Sequence, residues 1–554
     1  MQVILAKLSL DVNQQRFKNG CVATQRTKGT QAQDKDQTSP RRRWVILAVL
    51  CLSVLLTVVG NMALNVALPT LGRDLRASAT SLQWVVDIYV LCFAGLLLPG
   101  GAVGDRFGRK GCLQIGLAVY AVAATTGAFA PGTGELLAAR AVMGCAAALI
   151  MPGTLSILAT VFPPAQRPTA IAVWASVAGA SVAASITWSG LMLEHFWWGS
   201  IFLGMAALAL VALLTGIFLL PLSRAPERQK LDLIGALLEI AGIAGLLYGF
   251  IEAPVYGWTS PQVIVPLLAG LAILGAFVHW ERRTPHPMLD PGFLANRNLA
   301  LGSLAIAGVY FALFGMYFDF TQYLQLVRGY SPVVAALYAL PAGLAQLATA
   351  NAARKLAARH GARLVLTAGL VASAAGLLTL AASGVSTPPL LYEAGLALLG
   401  AGIGLAMPPS TGAIMSALPP AKAGVGSAIN DLDRELGGAF GVGLLGSLTL
   451  ARYKEDVTAA PHALAPAARA GLAQAIAVAR TPAAVHTARI AFTSGLDLAM
   501  AVGSACVLAT AIIVAWKIPR HNPGQPAPDG QASAAPTLPS AAAAQGSGLH
   551  ALER

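Results

Sequence analysis

The sequence predicts an all-α polytopic membrane protein, and three observations carry that prediction. Only 11% of the 554 residues are charged while 56% are hydrophobic, against roughly 25% charged in a soluble domain, so too little polar surface exists to face water. Apolar runs of the ~20 residues that cross a bilayer recur along the whole chain. The short loops between them alternate between rich and poor in Lys and Arg, as the positive-inside rule requires.

In chain order, residues 1–43 are polar, mixed in charge and end in Arg41-Arg42-Arg43. Lacking an apolar core followed by a small-residue cleavage site, they read as a cytoplasmic tail rather than a signal peptide. Spanning runs follow at 44–69, 84–104, 112–130, 136–160, 168–191 and 200–221. A charged break from Ser223 to Lys230 precedes runs at 232–252 and 262–280, and after Glu281 to Arg297 come 298–326, 332–353, 363–383, 388–416, 424–451 and 491–516. The pattern is six, two, six: an N-terminal bundle at 44–221, a two-helix insert with its linkers at 222–297, and a C-terminal bundle at 298–518. For the alanine-rich outer loop 452–490 two readings stay open, disorder or a surface helix with Leu472, Ile476 and Ala479 on one face. The tail 519–554, rich in Pro, Ala, Ser and Gly, reads as a disordered cytoplasmic extension.

Loops expected inside carry fifteen Lys and Arg, whereas the short outer loops carry only Arg73, Arg76 and Arg328. This places both termini in the cytoplasm and requires an even number of spans, fourteen. Trp44, Trp280 and Trp516 then fall at inner ends, and Trp84, Trp197, Trp198 and Trp258 at outer ends, as an aromatic belt would. The net charge of +13 is accounted for by the inner loops and calls for no nucleic acid. Six unpaired cysteines and eight histidines without ligand spacing imply no disulfide framework, metal or cofactor. No phosphate loop, His-Glu-x-x-His or Gly-x-Ser-x-Gly occurs, so neither an ATP-driven pump nor an enzyme is expected.

One stretch organises the rest. Gly101-Ala102-Val103-Gly104-Asp105-Arg106-Phe107-Gly108-Arg109-Lys110 reads as a tight charged turn between the second and third spans. Gly101 and Gly104 would permit close helix approach, Asp105 would cap a helix or pair with an arginine, and Arg106, Arg109 and Lys110 would meet the anionic inner leaflet. Ala358-Arg359-His360-Gly361-Ala362-Arg363 echoes it after the second span of the last six. The halves therefore read as parallel copies, an architecture in which two bundles rock about a midplane site.

These residues resemble the major facilitator superfamily, Gly101 to Lys110 being similar to its loop 2/3 signature and the six-two-six layout to its fourteen-spanner drug:proton antiporter branch. Asn65-Val66-Ala67-Leu68-Pro69, Gln83-Trp84-Val85-Val86 with Tyr89, Ala139 to Gly144, Thr321-Gln322-Tyr323-Leu324-Gln325 and Gly426 to Asp431 extend the resemblance over about 44–516. It implies that Arg140 is the fourth-helix arginine used in proton coupling, and that the Gly101 to Lys110 turn latches the halves together on the cytoplasmic side. Two departures bear on coupling. Gly60 stands where this branch usually carries an acid, and Ser185-Ile186-Thr187-Trp188-Ser189-Gly190 stands where antiporters usually carry Gly-Pro-x-x-Gly-Gly.

Ionisable groups inside apolar helices cost ~2.5–3.5 kcal/mol each on insertion scales and each asks for a reason. Asp87, Asp319 and Glu435 are the expected proton or cation sites, with Arg140 modulating them. Asp431 sits one turn from Glu435 and at pairing distance from Arg434, so a structural ion pair and a functional role both stay open. Glu239, in the insert, reads as structural or as a group at the lipid interface. Pro152, Pro341, Pro408 and Pro409 would supply bends. The expected function is export of amphipathic, often cationic, toxic compounds by proton antiport and alternating access, by a monomer in the plasma membrane, the inner membrane of a Gram-negative cell. The alternatives are a narrower metabolite exporter or facilitator without standard antiport, and a non-transporting sensor.

Overall fold

The computed structural model describes residues 40–163, 166–221, 232–285, 287, 292, 295–418, 423–459 and 466–517. The two tails, the linker bearing Arg224, Arg228 and Lys230, and Lys422 lie outside the described residues. The described residues are helical with no strand, as expected where every backbone polar group must be satisfied within its own segment.

The helices are α1 (Pro40–Asp74), α2 (Ala79–Phe107), α3 (Arg109–Ala128), α4 (Thr133–Val161), α5 (Arg167–His195), α6 (Gly199–Leu219), α7 (Leu233–Tyr256), α8 (Pro261–Arg283), α9 (Arg297–Gln322), α10 (Pro332–Leu337), α11 (Leu340–His360), α12 (Ala362–Ala381), α13 (Pro389–Ser416), α14 (Ala423–Ala459), α15 (Leu472–Val478) and α16 (Pro482–Lys517). A π-turn at Tyr323–Val327 continues α9, and a 3₁₀ turn at Pro466–Ala470 precedes α15. Among the described residues twelve helices are long and apolar enough to cross a membrane. The long α5 and α14 are not among those twelve; α14 carries Asp431, Asp433, Arg434 and Glu435.

The packing repeats. In the first half α2 and α3 both pack on α4, α1 on α5, and α3 on α6; in the second, α11 and α12 both pack on α13, α9 on α14, and α12 on α16. The halves meet where α2 crosses α14 and where α5 meets α10. The inserted α7 packs on α8, α2 and α14, so it leans on both halves. Exposed apolar side chains such as Phe218, Leu237, Leu344 and Leu390 cover the periphery, the surface that lipid would solvate.

Opposite ends of the molecule are built differently, and are called here the Arg109 end and the Trp84 end. At the Arg109 end the expected ten-residue turn is a one-residue break. The chain stays helical through Phe107, and Gly108 alone, at φ 119°, separates α2 from α3. Gly361, at φ 86°, separates α11 from α12 in the same way. In both, the glycine N–H closes the preceding helix, on Gly104 O at 3.0 Å and on Ala357 O at 2.9 Å. Positive φ costs an L residue roughly 1–2 kcal/mol, which is why glycine marks both breaks.

Other details of that stretch correct the sequence reading. A Cβ on Gly104 would meet nothing within 4 Å and one on Gly101 only Pro152 at 3.5 Å, whereas at Gly100 it would overlap the Ala148 carbonyl. The close approach of α2 and α4 thus rests on Gly100. Arg109 and Lys110 reach protein carbonyls, Ser156 O at 3.4 Å and Ile217 O at 2.8 Å, the latter in the last turn of α6, where orphan carbonyls accumulate. Arg106 lies over the exposed Phe107 ring at 5.5 Å. The side chain of Asp105 lies outside the described part.

The outer loop is also shorter than 452–490, because α14 continues to Ala459 and α16 begins at Pro482. Charged side chains at Arg452, Lys454, Glu455 and Asp456 end the apolar run without ending the helix; Arg452 pairs with Glu455 and Asp456 at 2.8 and 3.3 Å. Within the loop, α15 buries Leu472, Ala473 and Ala475, while Ala479 lies beyond its end. It is no surface helix. Gln474 Nε2 donates to Gly72 O at 3.1 Å and also to Ala77 O, and Tyr453 Oη donates to Ala468 O at 2.9 Å, so the loop is pinned over the end of α1.

Candidate transport site

The site grows out of a buried guanidinium. Arg140, two turns into α4, is fully buried. Its Nε donates to Val85 O at 2.9 Å, Nη1 to Gly60 O at 2.6 Å and Nη2 to Val86 O at 3.4 Å. Its charge lies 4.3 Å from the Tyr89 ring centroid, a cation–π contact that strengthens without water. The sequence read Arg140 as a coupling arginine and Gly60 as the place of a missing acid, without linking the two. The structure shows what replaced it: a Cβ on Gly60 would overlap the Tyr120 hydroxyl. Tyr120 and Tyr89 fill that volume, and Tyr89 Oη donates to Thr57 O at 2.9 Å.

One residue on, Asn61 crosses to the other half. Its Nδ2 donates to Glu435 Oε2 at 2.8 Å. Next to Glu435, Arg434 Nη1 lies 3.6 Å from Asp431 Oδ1 and its guanidinium 4.8 Å from the Tyr310 ring centroid. Asp431, Arg434 and Glu435 are partly exposed, whereas Asp87 and Asp319 are sealed. The α14 cluster is thus open to solvent, and the other two acids are not.

Asp87 faces the crossing of α2 and α14, with Oδ2 3.7 Å from where a Cβ on Gly443 would stand. Both its oxygens are buried without a hydrogen-bond partner, an arrangement that a neutral carboxyl tolerates far better than a carboxylate. Asp319, on α9, accepts from Thr449 Oγ1 at 2.8 Å. It lines a cavity of about 20 Å³ with Gln322, Tyr453 and Leu472, room for one water. The sequence-predicted acids therefore divide into an accessible pair on α14, and two sealed singles nearer the Trp84 end. Glu239 is apart, buried between α7 and α8 with Oε2 unpartnered.

The structure also shows what several sequence stretches do. Thr321 Oγ1 donates to Asn65 O at 2.9 Å and Gln325 Nε2 to Val66 O at 2.8 Å. Gln83 Nε2 donates to Val442 O at 3.3 Å. These bonds join the halves toward the Trp84 end. Gln325 lies within the π-turn at Tyr323–Val327, a feature frequent at functional positions. Trp188 packs its ring over Gly204 of α6, inside the first half. Asn61, Tyr120, Thr449 and Gln474 were missed by sequence reasoning. Only Asn61, polar and adjacent to Gly60 in an apolar run, carried a readable signal.

The profile of the Major Facilitator Superfamily matches residues 50–442. The chain belongs to this family of transporters. It is 35% identical to the multidrug efflux pump LfrA of Mycolicibacterium smegmatis, over 86% of this chain and 96% of that protein. It is 36% identical to the puromycin resistance protein pur8 of Streptomyces alboniger, over 79% and 88%, and 34% identical to the methyl viologen resistance protein SmvA of Salmonella typhimurium, over 75% and 84%. Among solved structures, the bacterial homolog of the human lysosomal transporter Spinster, inward-facing and unoccupied, superposes with a TM-score of 0.60 at 15% identity, over 87% of this chain and 97% of that one. The D-xylose-proton symporter gives 0.58 at 14%, over 86% and 98%. Family and fold together make the chain a multi-pass membrane transporter. In bacteria such transporters sit in the plasma membrane.

Proposed function

We propose that this chain is a proton-driven exporter of amphipathic, predominantly cationic toxic compounds, with fourteen spans in a six-two-six order and both termini in the cytoplasm. The relatives named for drug efflux and resistance support the substrate class. Puromycin and methyl viologen, the compounds in two of those names, are organic molecules bearing cationic charge at neutral pH. On this reading α5 and α14 also cross the membrane, the Arg109 end faces the cytoplasm, and the molecule stands open inward and shut outward. It works as a monomer on a small-molecule substrate.

The observation that carries the mechanism is the Asn61–Glu435 hydrogen bond. Position 60 has lost its acid and has no room for one, but the next residue holds an acid supplied by the opposite half. Glu435 is reachable by solvent and substrate from the cytoplasmic side, and its carboxylate would attract a cationic substrate. Protonation from outside discharges the substrate, and loss of the proton inward resets the site. Asp319, beside its water-sized cavity, and the unpartnered Asp87 lie on the outer side of Glu435 and serve proton entry. Arg140 acts as a positioning residue, holding α1 and α2 at the angle that presents Asn61. The latch at Gly101 to Lys110 works through the rigid junction at Gly108, which moves α2 and α3 as one body. Efflux of a lipophilic cation such as ethidium from cells lacking their own exporters tests the reading. Expression should lower its accumulation, and a protonophore should abolish the difference; unchanged accumulation rejects transport of this class.

A further inference from the structure

We propose that a pocket between the insert and the two halves at the Trp84 end is a binding site for a phospholipid headgroup of the phosphoethanolamine class. The pocket, about 430 Å³ in volume, is lined by Ser78, Ser81 and Trp84 from the start of α2, Glu252 from the end of α7, Lys454 from α14 and Arg469 from the 3₁₀ turn. It lies outside the Arg140 and Glu435 site, and its walls come from every major part of the molecule.

Its chemistry is that of a zwitterion receptor. Glu252 Oε1 accepts from Trp84 Nε1 at 3.2 Å, which aims the carboxylate and leaves Oε2 to take a further donor. The Trp84 indole stands 6.3 Å from the Tyr248 ring, so the acid sits beside aromatic faces that attract a cation. Near it, Lys454 Nζ donates to Pro254 O at 3.0 Å, which positions the ammonium and leaves two of its three protons. With Arg469 and the hydroxyls of Ser78 and Ser81, 2.9 Å apart, it makes an anion-binding wall. One carboxylate is too few for a divalent metal, and two cations make the site unsuited to a simple organic cation. An ammonium two carbons from a phosphate satisfies both walls at once. A quaternary ammonium has no proton to donate to Glu252, which separates ethanolamine from choline.

The surroundings select a lipid over a soluble zwitterion. The rim carries Val255, 48% exposed, and the same helix end bears Tyr248 and Tyr256, with Trp258 following, all exposed. Such a girdle lies at headgroup depth, with the apolar faces of α7 and α8 below it to meet acyl chains. A headgroup seated here touches α2, α7 and the end of α14 together.

Native mass spectrometry of the full chain, titrated with dihexanoyl phosphatidylethanolamine, phosphatidylcholine or phosphatidylglycerol, tests the site. The ethanolamine lipid should bind about tenfold more tightly than either other lipid, and Glu252→Gln and Lys454→Met should each remove that preference. Val255→Trp, which fills the mouth without touching a hydrogen bond, should do the same, and it decides the matter if the charge variants fail to fold. Equal binding of the glycerol lipid, or an ethanolamine preference intact in all three variants, overturns the proposal. Soluble O-phosphoethanolamine binding as tightly as the lipid overturns the lipid as occupant.

Discussion

The Tyr120 hydroxyl occupies the space that any side chain on Gly60 would need, and the Gly60 carbonyl is the nearest of the three acceptors that hold Arg140. Gly60, which leaves no room for an acid on α1, therefore also helps to hold the Arg140 guanidinium through its carbonyl.

Gly60→Ala should be disproportionately costly for a single methyl group, about 1–3 kcal/mol by overpacking, because the Tyr120 ring is held between α1 and α6. Tyr120→Phe removes the overlapping oxygen and leaves the ring carbon 3.2 Å from the new Cβ. Gly60→Ala should thus be rescued by Tyr120→Phe, with a coupling energy of at least about 1 kcal/mol in a double-mutant cycle of thermal unfolding. Additive costs would show that the two residues do not share that space.

Arg140→Lys keeps the charge but cannot span Gly60, Val85 and Val86 at once. Losing two charge-assisted hydrogen bonds should cost about 2 kcal/mol or more, and should slow ethidium efflux with the loss in maximal rate rather than in half-saturating concentration. An unchanged unfolding midpoint would mean that the guanidinium does not brace α1 against α2.

Asp319 and Thr449 form a second, separable element. Asp319→Asn should stop substrate-linked proton uptake, while Thr449→Val, which removes the hydroxyl bonded to Asp319, should change the pH profile of efflux. Efflux profiles between pH 5 and 9 read both; an unmoved profile in both variants removes Asp319 from the proton route.

Much of the fold was legible because a bilayer imposes one rule on every span, and apolar run length reports it directly. The errors fell where helices leave that regime: α14 runs on through Arg452 to Asp456, and α2 through Asp105 to Phe107, since charged residues stop an apolar run without stopping a helix. The repeat was readable from Gly108 and Gly361 because positive φ ties glycine to a position. The site was legible in its charges and opaque in its partners. Asp319 and Arg140 stand out against apolar neighbours and Glu435 within a charged cluster, whereas Tyr120 in α3 and Asn61 in α1 acquire meaning only across 60 or more residues of chain. The stretches Asn65 to Pro69 and Thr321 to Gln325 were visible as strings; that they hydrogen-bond to each other is a fact of tertiary structure alone.

The central claim is that Glu435, held by Asn61, carries the proton that drives export. Proton entry into proteoliposomes loaded with ethidium and bathed in acidic medium, followed by an internal pH dye, tests it most directly. Wild type should show substrate-dependent acidification inside, and Glu435→Gln should bind ethidium yet show none. Proton entry in Glu435→Gln equal to wild type, or wild-type ethidium export at the same rate with the gradient collapsed, would contradict the account.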